Sequence, residues 1–98
     1  MKFNLLIADT ERSQVYLNYL SQNNLKPQKV FFYANKKNKK ILKKLNKEKI
    51  DYSFFSTKSI NNLKIKKAIL SSKLKIFIYS GYPGEKVNFN LTKKKNII

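Results

Sequence analysis

Phe3-Asn4-Leu5-Leu6-Ile7-Ala8-Asp9-Thr10-Glu11 is the stretch on which the fold turns. Phe3 to Ala8 is short and nearly continuously apolar, as a strand covered on both faces must be. Asp9 and Thr10 can accept hydrogen bonds from free helical N–H groups, and Glu11 then places negative charge in a first helical turn. A buried strand therefore runs directly into a helix, whose Val15/Tyr19 and Tyr16/Leu20 pairs repeat at four-residue spacing. Pro27 marks a point beyond the end of that helix.

The same alternation continues along the chain. Lys29 to Ala34 is a second β-favouring run, and Asn35 to Lys49 carries Ile41, Leu42 and Leu45 among lysines, the pattern of a basic amphipathic helix. Asp51 to Ser56 is a third strand or extended segment, and Ser59 is a candidate cap for a helix using Leu63, Ile69 and Leu70. Leu74 to Ser80 is the clearest strand. It stops at Gly81-Tyr82-Pro83-Gly84, where proline followed by glycine fits the centre of a type II turn. The segment from Glu85 allows a short helical turn, and Asn96-Ile97-Ile98 begins a further strand. Strands alternating with helices require right-handed crossovers, so the expected class is α/β: a Rossmann-like, mostly parallel sheet with helices on both faces, incomplete at its C-terminal end. Residues 1–98 form one partial domain on this reading, since a chain of 98 residues buries only about 60 to 65% of its unfolded surface, enough for a single modest core.

Composition narrows the chemistry. There is no cysteine and no histidine, so disulfides, thiolate or imidazole metal ligation and the commonest nucleophile and base are excluded. No apolar run approaches the roughly 20 residues of a membrane-spanning helix, and the start is too short and too soon acidic for a signal peptide, so the expected location is cytoplasmic. The net charge of +17 invites a polyanion partner, yet Arg12 is the only arginine among 22 basic residues. The bidentate guanidinium favoured in specific phosphate and base recognition is thus nearly missing. Lysine, asparagine and isoleucine together make up 43 of the 98 residues, a bias expected of a coding sequence rich in A and T, and that bias is the preferred origin of the charge over a functional basic surface. The cluster from Lys36 to Lys49 reads either as a solvated helix face or as a track for nucleic acid.

Ligands of open α/β sheets bind beyond the carboxyl ends of strands, which directs attention to Asp9-Thr10-Glu11-Arg12 and to Gly81 through Val87. Asp9 and Arg12 read as a cap and a surface ion pair, or as ligand contacts. Gly81 and Gly84 are the only glycines, and neither dinucleotide-binding nor P-loop spacing can be built from them. They serve turn geometry or the close approach of a ligand. The aromatics of the strand-like runs, Phe31, Phe32, Tyr33, Phe54, Phe55, Phe77 and Tyr79, are expected in the core.

Two segments, Leu6 through Leu17 with Asn23-Asn24-Leu25-Lys26-Pro27 after it, and Ile76-Phe77-Ile78-Tyr79-Ser80-Gly81-Tyr82-Pro83-Gly84, resemble the amino-terminal half of formyltransferase-like proteins. That family includes methionyl-tRNA formyltransferase and the sugar N-formyltransferases. The resemblance runs from Phe3 to Ile98 and is thinnest in the lysine-rich middle. It implies a Rossmann-like domain that transfers a formyl group from 10-formyltetrahydrofolate to an amine, an amino-sugar nucleotide or methionyl-tRNA. It also implies that Gly81, Tyr82, Pro83, Gly84 and Val87 lie beside the folate. Lys86 departs from the apolar residue usual in that loop. The family's catalytic histidine follows a strand beginning about where Asn96-Ile97-Ile98 stands, and neither it, its polar neighbour nor the later aspartate has a counterpart in this chain. The expectation is a truncated or split formyltransferase-like chain, inactive alone, completed by a complementary C-terminal half. Asp9, Asp51 and Glu85 do not substitute for the missing groups. The alternative is a small basic protein binding nucleic acid or another polyanion through its lysine-rich helix.

Overall fold

The computed structural model describes residues 2–37, 39–82, 84–87 and 96–98. Its elements are β1 (Asn4–Ala8), α1 (Glu11–Gln22), β2 (Lys29–Ala34), α2 (Lys39–Lys47), β3 (Asp51–Ser56), α3 (Leu63–Ser71), β4 (Ile76–Ser80) and β5 (Asn96–Ile97). The strands form one parallel sheet in the order β3-β2-β1-β4-β5. The chain winds outward from β1 to β3, returns across the sheet, and resumes on the other side of β1. That is a doubly wound, Rossmann-like α/β arrangement with its change of direction between β1 and β4.

Right-handed crossovers demand that α1 and α2 cover one face and α3 the other, and the side chains sort accordingly. Leu5, Ile7, Val30 and Phe32 meet Leu17 and Leu20 of α1 and Ile41 and Leu45 of α2. On the opposite face Leu6, Ala8, Phe31, Tyr33 and Phe77 meet Ile65 and Ile69 of α3. Every residue of β1 is buried, as the central strand of such a sheet must be. The expected core aromatics follow suit: Phe31, Phe32, Tyr33 and Phe77 are buried, and Phe54, Phe55 and Tyr79 half-buried.

Three local readings are corrected. Thr10, not Asp9, is the N-cap of α1, because its extended backbone lets Oγ1 accept from the Ser13 N–H at 3.0 Å. The inward stripe of α1 is Ser13, Leu17 and Leu20, so Val15 and Tyr19 face outward, 60% and 53% exposed. Helix α3 is capped by Asn62, whose Oδ1 accepts from the Lys64 N–H at 2.8 Å, whereas the Ser59 hydroxyl accepts from Asn61 N–H. Starting the helix there turns Ile65 and Ile69 inward and leaves Leu63 and Leu70 exposed. Of the segment from Glu85 to Ile98, in which a short helical turn is expected, Glu85 to Val87 are not helical and residues 88–95 lie outside those described.

Helices α1 and α2 both end on a left-handed residue, Asn24 and Lys49, each with φ of 55°. The Leu25 N–H then returns to Leu20 O at 2.8 Å and the Ile50 N–H to Leu45 O at 2.9 Å, satisfying end carbonyls and aiming the chain into the next strand.

The orientation of α3 has a measurable consequence. Ile69→Ala should cost about 2–5 kcal/mol in urea unfolding, because Ile69 is fully buried, while Leu70→Ala should fall within about 1 kcal/mol. Equal costs would refute this assignment of the inward face.

Candidate functional site

The carboxyl edge of the sheet between β1 and β4 is organised by a buried hydroxyl. Ser13, fully buried in the first turn of α1, accepts from the Ala8 N–H at 3.3 Å and the Thr10 hydroxyl at 2.9 Å. It donates to the Ser80 carbonyl at 2.7 Å. One polar atom thus joins the end of β1, the start of α1 and the end of β4. Beside it, Arg12 Nη2 donates to the Gly81 carbonyl at 2.8 Å. Arg12 therefore holds a backbone carbonyl of the loop after β4. Ser13 was not singled out in the sequence, because only the position of the sheet decides that the stripe of Ser13, Leu17 and Leu20 faces inward.

The loop that follows is clasped from below. Glu85 Oε1 accepts from the Tyr33 hydroxyl at 2.5 Å and the Tyr79 hydroxyl at 2.7 Å, and Oε2 accepts from the Ile60 N–H at 3.0 Å. The two phenol oxygens lie 2.9 Å apart. One carboxylate so ties the loop to β2, to β4 and to the segment leading into α3, while Asn61 Nδ2 donates to the Lys86 carbonyl at 2.9 Å. Burial, with the hydrogen bond to Glu85 and that to Tyr79, drives the Tyr33 hydroxyl far above its ordinary value. Burial raises Tyr79 to about 12; the Tyr33 hydrogen bond opposes this and that to Glu85 adds to it. Both phenols are firmly protonated donors at neutral pH, and Glu85 serves as their acceptor.

The two glycines do different work. Gly81 is buried, and a Cβ there would lie 2.3 Å from the hydroxyl oxygens of both Tyr33 and Tyr79, so a side chain would fit only if these phenols shifted. Gly84 has φ of +80° and open space around it, and the Glu85 N–H donates to Tyr82 O at 3.1 Å, closing the four-residue turn expected of this segment. Tyr82 packs edge-on against Tyr33, with ring centres 5.7 Å apart, and Val87 rests on the α3-face cluster. Burial, with the charge of Asp9 and then of Glu85, raises the Tyr82 hydroxyl, so the end of β1 lies within electrostatic reach of this loop. Gly81, Tyr82, Gly84 and Val87 are thus brought together at the carboxyl end of β4; Pro83 lies outside the described residues.

Two concave surfaces flank this architecture. A groove of about 560 Å³ between α1 and β4 is lined by Val15, Tyr16, Tyr19 and Ile78 and reaches the carboxyl edge at Arg12 and Ser80. A cavity of about 240 Å³ at the amino edge is lined by Leu20, Leu25, Pro27, Ile50 and Glu48. Among the described residues no group of three or more acidic side chains could hold a metal ion, and no helix is long and apolar enough to cross a membrane. No family model, curated protein or solved structure matches the chain.

Tyr79 holds its proton more tightly in the fold than at the ordinary value of 10.0. The stability this contributes is complete below about pH 10 and is lost as pH rises towards 12. The urea midpoint should fall more steeply over that interval in the wild type than in Tyr79→Phe; parallel profiles would count against the buried phenol. Gly81→Ala should destabilise by about 1–3 kcal/mol through overpacking, read from the same unfolding curves.

Proposed function

We propose that this chain is the Rossmann-like half of a formyltransferase-like domain, with Gly81, Tyr82, Pro83, Gly84 and Val87 forming one wall of a 10-formyltetrahydrofolate site. The observation that carries the reading is the meeting of the two resembling segments. Ser13 contacts Ser80 across 67 positions and Arg12 contacts Gly81 across 69. The segments join at the change of winding direction, where ligands of such sheets bind. The residues present suit a planar heteroaromatic ligand: Tyr82 and Val87 offer half-buried apolar surface, and the space beside Gly84 is open.

When bound, the folate supplies the formyl group, which passes from its N10 to an amine. The loop binds and orients, Gly81 and Glu85 hold its shape, and Arg12 anchors its first carbonyl. The acid/base residues of the family have no counterpart within these 98 positions, so the transfer requires groups from beyond them, as a complementary C-terminal half would provide. The competing reading, a polyanion-binding helix, gains nothing from the charge distribution. Lysines crowd α2 on one face of the sheet and α3 on the other, so the charge does not gather on the α2 helix alone.

Titration of the ¹⁵N-labelled chain with 10-formyl-5,8-dideazafolate, a stable folate analogue, tests the proposal. Amide shifts should concentrate at Gly81, Tyr82, Gly84, Val87 and the first turn of α1, without formyl transfer by the chain alone. No saturable shift at millimolar analogue would overturn it. So would shifts reproduced by a mononucleotide, and shifts confined to Lys39–Lys47 would favour the polyanion reading.

A further inference from the structure

We draw no further inference here: the strongest candidate, the apolar groove between α1 and β4 lined by Val15, Tyr16, Tyr19 and Ile78, carries nothing because nothing in the structure shows what covers it.

Discussion

The hydroxyl of Ser13 is the joint of this molecule. A doubly wound sheet must bring its first strand beside one that follows a long excursion of chain, and the Ser13 to Ser80 bond spans 67 positions. Parallel pairing aligns β1 with β4, from Asn4 opposite Phe77 to Ile7 opposite Ser80, but the ladder ends where the two strands diverge into α1 and the loop. At that point a fully buried hydroxyl accepts two donors and supplies one. Its hydrogen-bonding capacity is used, as burial requires. Loss of that hydroxyl would leave the Ser80 carbonyl without this donor and loosen the crevice at which ligands of such sheets bind.

From this joint the loop after β4 inherits its shape. Arg12 holds its first carbonyl and Glu85 draws its far side down onto two tyrosines and the amide of Ile60. Glu85 is one of five acidic residues in a chain of net charge +17, and its oxygens turn inward to phenols and an amide instead of outward to the many lysines. Glu48 behaves in part similarly. Burial tends to raise its carboxyl, but a hydrogen bond from Ser21 and its ion pair with Lys44 hold it below the usual range. The scarce carboxylates therefore organise the structure locally, and the positive charge stays distributed over the surface.

That distribution gives the molecule unlike faces. Lys37 Nζ lies 5.5 Å from the centre of the Phe54 ring and Lys29 Nζ 5.8 Å from that of Phe31, so these lysines set their ammonium groups over aromatic faces. On the outer stripe of α1, Val15 and Tyr19 are exposed beside the half-buried Ile78 of β4.

Periodicity and turn chemistry by themselves determined the order of elements, the parallel winding and the turn at Gly84, because each rests on short-range rules: apolar runs, capping side chains and a positive φ. The burial of Phe31, Phe32, Tyr33 and Phe77 was equally legible. Tertiary structure alone decided which stripe of α1 faces inward, since Val15/Tyr19 and Leu17/Leu20 both have helical spacing and only the position of the sheet separates them. The same holds for α3, where Asn62 and Ser59 are both competent caps and the choice between them rotates the leucines out and the isoleucines in. It alone also revealed the two interactions that shape the candidate site, Ser13 with Ser80 and Glu85 with Tyr33. Their partners lie 67 and 52 positions apart, and no local pattern encodes a contact whose two halves meet only after the sheet has closed.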